Sequence, residues 1–408
     1  VTTTNNDEIL QWFNKLLTYS LHYKASDLHI NSGAQPRFRI GGRLAPLKDS
    51  ERVRPETVER VARAITSPKQ WEAFEENHEL DLGYGLPGKG RFRINIYMQR
   101  STMGIAVRAI STEVPDFESL NLPPVISSIA ETSRGLVLVT GATSSGKSTT
   151  LASMVDYINR TREAHIITIE DPIEYLFQDK NSLITQREIG MDTYSFANAL
   201  KAALRQDPDV ILIGEMRDLE TIEIALSAAE TGHLVLTTLH TTDAYETINR
   251  IMATFPQERQ DIARVRLAGT IKAVITQRLV PRMDGDGRTL AVEVMINTAH
   301  VRDLILDPQK TIGIPEAIAD GGVSYGMQSF DQSLMQLVRE NKISYNTALD
   351  YASNPSDFAL HFQGIGDSSG DEWMDMGSGQ GGSNQGGNDG GGGGGMDDDF
   401  LSDEFDLD

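Results

Sequence analysis

Residues 141 to 149, Gly-Ala-Thr-Ser-Ser-Gly-Lys-Ser-Thr, restrict what this chain can fold into more than any other segment. They lie between an apolar run, Gly135-Leu-Val-Leu-Val-Thr140, and a stretch of helical character from Lys147 to Asn159. The pattern G-x-x-x-x-G-K-[ST] needs glycine at 141 and 146, so that a tight loop can aim successive N–H groups at phosphate oxygens. A strand must lead in and a helix must lead out, its positive dipole end under the anion. Thr143, Ser144, Ser145 and Thr149 complete the cradle, Lys147 reaches the outer phosphates, and the Ser148 hydroxyl is placed to ligate Mg²⁺. The expected ligands are therefore ATP, or a related triphosphate, and Mg²⁺.

With 408 residues, two domains plus accessories are expected. No segment approaches the roughly 18 consecutive apolar residues of a membrane span. The start, Val1-Thr-Thr-Thr-Asn-Asn-Asp7, has no basic-then-apolar signal pattern, so a cytoplasmic location is expected. The absence of cysteine excludes disulfides and thiolate zinc sites. Net charge is −21, of which the stretch from Gly366 to Asp408 carries −12 and the remainder −9. Affinity for nucleic acid comes from Lys and Arg neutralising phosphates, so an acidic body disfavours a nucleic-acid track.

Residues 1–112 read as a mixed α/β module. Ile9, Trp12, Phe13, Leu16, Leu17 and Leu21 recur at helical spacing over Glu8–Tyr23, and a second helix is expected from Arg54 to Asn77. Period-two segments at 27–30, 36–40, 91–97 and 104–110 predict strands. Pro115, Pro123 and Pro124 mark residues 113–124 as a linker. From 125 to 365 apolar strands alternate with helices, as in a parallel sheet, with strands expected at 135–140, 165–170, 210–214, 233–238 and 289–296. Helices follow, including Asp331–Glu340 and Asn346–Ala352. Residues 366–408 are Gly-, Asn- and Ser-rich and are expected to be disordered. Their last dozen place Phe400, Leu401, Phe405 and Leu407 among acids, which reads equally as a docking motif for an unknown partner or as a solvating tail.

Phosphate binding alone does not hydrolyse anything: a water must be oriented and charge stabilised. Open parallel sheets place ligands at the carboxyl ends of their strands. There the sequence offers Glu170, Asp171 and Glu174 after Ile166-Ile-Thr-Ile169, and Glu215 after Val210-Ile-Leu-Ile-Gly214. An acid ending a buried strand beside a phosphate loop is the Walker B arrangement, which holds Mg²⁺ or positions water; Asp171, before a proline, reads equally as a helix cap or a surface charge. His233 and His240 bracket another apolar strand, and their odd spacing points them to opposite faces. His240, among Thr238, Thr241 and Thr242, is the better phosphate contact. Arg93 and Arg108, on strands of the first module, acquire a role only where that module reaches a nucleotide.

These boxes, in one order and spacing, resemble the PilT/PilU branch of the secretion ATPases, the hexameric motors of type IV pili and type II secretion. The resemblance covers about residues 8–365. It rests on Ala25-Ser-Asp-Leu-His29, Gly90-Arg-Phe-Arg-Ile-Asn95, the phosphate loop, Ile169-Glu-Asp-Pro-Ile-Glu-Tyr175, Asp207-Pro-Asp-Val-Ile-Leu-Ile-Gly-Glu-Met-Arg217 and Thr231–Thr242. It implies a PAS-like domain joined flexibly to a RecA-like ATPase domain, a homohexameric ring, and ATP held between the domains. By residue it implies Lys147 on the phosphates, Ser148 and Glu215 at Mg²⁺, Glu174 activating water, His240 near the γ-phosphate, and Arg93 and Arg108 completing the site. It further implies a location at the inner membrane, where domain motion would move a membrane platform protein beneath the pilus.

Extension and secretion motors of this superfamily look longer and commonly carry a four-cysteine insert. The early start of the PAS-like module and the lack of cysteine therefore resemble a retraction motor. Where main retraction ATPases carry Ala-Ile-Arg-Asn-Leu-Ile-Arg-Glu, this chain reads Ala299-His-Val-Arg-Asp-Leu-Ile-Leu-Asp307. A main motor, an accessory or regulatory ring subunit beside a sibling ATPase, and a RecA-like nucleic-acid translocase remain the alternatives at this point.

Overall fold

The computed structural model describes residues 2–362 apart from residue 286, with side chains described from residue 7 onward. The acidic tail and its aromatic end lie outside the described residues. The described chain divides into two compact units, residues 2–112 and residues 113–362.

The first unit is a six-stranded antiparallel sheet with helices on one face. Its strands are β1 (Asp27–Asn31), β2 (Arg37–Ile40), β3 (Arg43–Pro46), β4 (Glu79–Leu86), β5 (Gly90–Gln99) and β6 (Thr102–Ala109), in the order β3-β2-β1-β6-β5-β4. Alternation decides which side chains go inward. Leu28, Ile30, Phe38, Phe92, Ile94, Ile96, Ile105 and Val107 meet Phe13, Leu16 and Leu17 of helix Thr2–His22 and Val58 and Val61 of helix Pro55–Ile65. The single helix expected over 54–77 is two. Pro68 disfavours helical backbone at Ser67, and Ser67 instead caps helix Pro68–Asn77 in a reciprocal capping box with Gln70.

The second unit is a seven-stranded sheet covered on both faces. Its strands are β7 (Gly135–Gly141), β8 (His165–Glu170), β9 (Leu183–Glu188), β10 (Val210–Ile213), β11 (Leu234–Leu239), β12 (Ile271–Pro281) and β13 (Arg288–Ile296). Their order is β13-β12-β7-β11-β10-β8-β9; every pair is parallel except β12 with β13. Every residue of β7, β10 and β11 is buried, as central parallel strands require. One face packs on helices Phe196–Ala203, Leu219–Glu230, Ala244–Thr254 and Gln260–Thr270, and the other on the helix Lys147–Thr161. This is the RecA-like P-loop architecture.

Two strands of this sheet escape the sequence pattern. β9 reads Leu-Ile-Thr-Gln-Arg-Glu, an edge strand without an apolar run, and β12 follows helix Gln260–Thr270 with no turn residue between them. Residues 113–124, expected as a linker, are part of the second unit: Leu122 is buried there, the Phe117 and Tyr157 rings meet at a tilt with centroids 5.1 Å apart, and Pro115 O accepts from Ser153 Oγ at 2.6 Å.

Phe13 is fully buried and meets Tyr84 edge-on, with ring centroids 5.7 Å apart. Phe13→Ala should destabilise the first unit by about 3–5 kcal/mol. Chemical denaturation followed through Trp12 fluorescence checks this, and an unchanged midpoint would contradict the packing described.

Candidate functional site

The phosphate loop begins where β7 runs out. Gly141 has φ +142° and a side chain there would meet Gln277 O and Ser145 Oγ, each 2.5 Å away, so only glycine fits. Gly146, at φ +95°, turns the chain into the helix that starts at Lys147. Lys147 is buried, and its Nζ donates to Gly141 O at 2.9 Å and Ala142 O at 2.8 Å. Burial lowers its pKa, against the opposing charge of Glu215. Thr143, Ser144 and Ser148 are exposed along the loop, and Thr149 Oγ1 accepts from Tyr175 OH at 3.2 Å. Ser145 Oγ is buried with no hydrogen-bond partner among the described residues. An orphaned hydroxyl beside a buried ammonium, in a loop without side chains at its hinge points, fits a bound phosphate chain.

Parallel register brings the other groups level with this loop. Ile213 pairs with Ile169 and Thr237, and Leu239 pairs with Thr140, so Glu170, Glu215 and His240 all emerge at the carboxyl edge where Gly141 lies. Thr238 Oγ1 donates to Gly214 O at 2.6 Å and holds the Glu215 turn against β11. Glu215 Oε2 lies 2.7 Å from Arg217 Nη2, and Oε1 lies 3.4 Å from His240 Nε2. Burial alone would raise the Glu215 carboxyl, but the hydrogen bond and charge of Arg217, with His240 and Lys147, outweigh it and hold it below the ordinary range.

The acidic box makes two kinds of carboxyl. Glu170 is pushed above its ordinary pKa by burial, against hydrogen bonds from Thr168 Oγ1 at 2.6 Å and Gln186 Nε2 at 3.4 Å. Glu174 is exposed, and its own N–H donates to Glu170 Oε2 at 3.5 Å. Asp171 is exposed and caps no helix, because the next helix begins at Phe196.

His233 does not belong to this edge. Both histidines lie just outside β11, at opposite ends, so the face argument from odd spacing does not apply to them. Six strand residues separate them by about 20 Å. His233 Nδ1 is 2.8 Å from Ala228 O, at the end of helix Leu219–Glu230, a structural role.

Arg93 and Arg108 lie on the first unit, directly opposite each other on β5 and β6. Two guanidiniums so placed repel. Asp27, opposite Arg108 on β1, offsets this: its Oδ1 is 2.9 Å from Arg108 Nε, and its Oδ2 is 3.8 Å from Arg39 Nε.

Supporting residues on β9 and β12 belong to no motif in the sequence. Gln186 Nε2 donates to Tyr175 O at 2.9 Å and Glu188 accepts from Ile173 N at 3.3 Å, so β9 pins the loop that carries Glu174. On β12, Thr276 accepts from Thr140 at 3.0 Å, Gln277 Nε2 donates to Thr150 Oγ1 at 2.6 Å, and Arg278 Nη1 donates to Tyr351 O at 2.9 Å. The signal was there to read: Thr276-Gln277-Arg278 interrupts an otherwise apolar run. Opposite Thr276 on β13, buried Glu293 accepts from Ala244 N at 2.8 Å.

A strand, a glycine-hinged loop around a buried lysine, and an acid and an imidazole at the edge of a parallel sheet define a P-loop nucleotide-binding protein. A profile of the type II/IV secretion system proteins matches residues 2–321, and the chain belongs to that family. It is 44% identical over 349 residues to the type IV pilus retraction ATPase PilT of Pseudomonas aeruginosa, covering 84% of this chain and 99% of PilT. It is 41% identical over 348 residues to the type IV pilus ATPase PilU of the same organism, covering 85% of this chain and 90% of PilU. A crystal structure of the pilus retraction motor PilT with bound ADP superposes with a TM-score of 0.76 at 43% identity, covering 84% of this chain and 98% of that one.

Burial pushes the Glu293 carboxyl up to about 7, against the Ala244 hydrogen bond and the Arg278 charge. A carboxyl raised on folding binds more protons in the native state between its unfolded value, near 4.5, and 7, so its burial is increasingly destabilising as pH rises through that window and constant above it. Glu293→Gln should therefore gain stability relative to wild type from pH 4.5 to 7, by about 1–3 kcal/mol in total. Melting temperatures of both proteins across this range test it; a difference that stays flat or falls would contradict the raised carboxyl.

Proposed function

We propose that this chain is a magnesium-dependent ATP hydrolase, a hexameric ring motor that drives retraction of type IV pili and hence twitching motility. The observation that carries the reading is the convergence of Lys147, Glu215 and His240 at one sheet edge, in a chain that aligns over nearly all of PilT. Lys147 and the loop N–H groups bind the phosphate chain, with Ser145 Oγ beside them. Ser148 and Glu215 would hold Mg²⁺, which when bound neutralises charge on the outer phosphates.

Glu174 is the acid for water activation. It is exposed at the sheet edge, whereas Glu170 is buried, with its carboxyl pushed above the ordinary range and occupied by Thr168 and Gln186. His240, beside Glu215, senses the γ-phosphate. Arg93 and Arg108 of the first unit supply charge to the transition state, as arginine fingers do. Work would be done at the cytoplasmic side of the inner membrane, on the platform protein of the pilus machine. Among the described residues no helix is long and apolar enough to cross a membrane.

Helix Ala299–Leu306 bears on the choice between a main and an accessory motor. Val301, Leu304 and Ile305 are buried in the core, while Leu306 is partly exposed where retraction motors of the main type carry a charge. Deletion of the gene, scored for surface pili and twitching, tests the assignment: surplus pili without movement is expected, and loss of pili would reverse the direction of work.

Glu174→Gln should bind ATP with near wild-type affinity and hydrolyse it about a hundredfold or more slowly. Turnover at the wild-type rate would assign water activation elsewhere. Arg93→Ala and Arg108→Ala should lower kcat more than they raise KM; unaffected steady-state rates would remove the first unit from the chemistry.

A further inference from the structure

Glu215 already has partners of its own, a guanidinium and an imidazole. Arg217 Nη2 stands 2.7 Å from Oε2, and His240 Nε2 stands 3.4 Å from Oε1. The two are unequally held. The Arg217 side chain keeps 72% of its surface exposed against 43% for His240, and the carboxylate between them keeps 18%. Arg217 is two residues beyond Glu215, in the turn before helix Leu219–Glu230, so it can leave by side-chain rotation alone.

The structure offers it somewhere to go. A cavity of about 440 Å³ opens beside Glu215 and Arg217, floored by Ile222 and Ile251, with Glu246 and Arg250 on its wall. Glu246 uses Oε2 for both of its bonds to Thr242, at 2.7 Å to N and 2.7 Å to Oγ1. Glu246 borders the space next to Arg217 together with Arg250, whose charge acts on it, and Asp171 lies within electrostatic reach of Arg217.

A guanidinium at bonding distance from Oε2 and a divalent cation on the same oxygen compete, because a single and a double positive charge about 4 Å apart repel by about 2–8 kcal/mol at effective dielectric constants between water and a protein surface. We propose that Arg217 is a displaceable counter-ion of Glu215: it holds the carboxylate in place and competes with Mg²⁺, which takes Oε2 only as Arg217 swings into the cavity. This rests on the reading of Glu215 as the cation ligand. Arg217 thus raises the concentration of Mg²⁺ needed to load nucleotide, and it acts on the cation through Glu215, as a positioning residue.

The test is binding, without turnover. Binding of a fluorescent, non-hydrolysable ATP analogue to the full chain is titrated with MgCl₂, and its affinity is measured separately in EDTA. Arg217→Ala and Arg217→Gln should reach half-saturation at about three- to tenfold lower Mg²⁺ than wild type, the size expected for losing one charge-assisted pair, with unchanged affinity in EDTA. Adding Glu215→Gln to either variant should abolish the gain. An equal or higher Mg²⁺ requirement in both variants overturns the proposal, as does loss of binding in EDTA by both, which would make Arg217 a structural support. Wild-type binding that does not respond to Mg²⁺ would instead overturn the assignment of Glu215 as cation ligand, and the proposal with it.

Discussion

A buried ammonium has to be held by oxygen atoms, and the placement of Lys147 follows from that. Its Nζ donates to the carbonyls of Gly141 and Ala142, the last residue of β7 and the one after it. Desolvating an unpaired charge would cost several kcal/mol, so strand end and helix start are tied together at the point where the backbone reverses. Everything at the sheet edge is registered against this clasp. β11 and β12 flank β7 on either side, and through them Glu215, His240 and Gln277 take their positions.

The edge then separates carboxyl groups by their surroundings. Glu170, Glu174 and Glu215 lie close to one another in the fold, yet one is driven toward neutrality by burial, one is in solvent, and one is held ionised by neighbouring cations. Different environments give one residue type different chemistry. β9 helps to make those environments, through Gln186 on the Glu170 carboxyl and Glu188 on the Ile173 N–H, while Arg217 and Lys147 act on Glu215.

What could be read in the sequence was what local pattern dictates. Apolar runs exposed the central strands β7, β10 and β11 because burial on both faces forces them to be continuous, and the phosphate loop was legible because its glycines answer a steric demand. β9 was hidden because an edge strand needs no apolar run, and β12 because nothing punctuates its junction with the preceding helix at Thr270 and Ile271. Ser67 and Pro68 signal a helix break that the longer periodic pattern around them masks. Arg217 went unsingled because its importance is relational: an exposed arginine means little until Glu215 is found 2.7 Å away. The contact between Asp27 and Arg108 joins residues 81 positions apart, and no spacing rule reaches that far.

Glu246 accepts from Thr242 while its own N–H donates to Asp243 Oδ1 at 2.6 Å, so the entry to helix Ala244–Thr254 is closed by bonds running both ways. The segment from His240 to Asp243 consequently has a set length. A residue gained or lost there would unravel the first helical turn and withdraw the imidazole from Glu215. The tether that carries the imidazole therefore tolerates substitution more readily than any change in length.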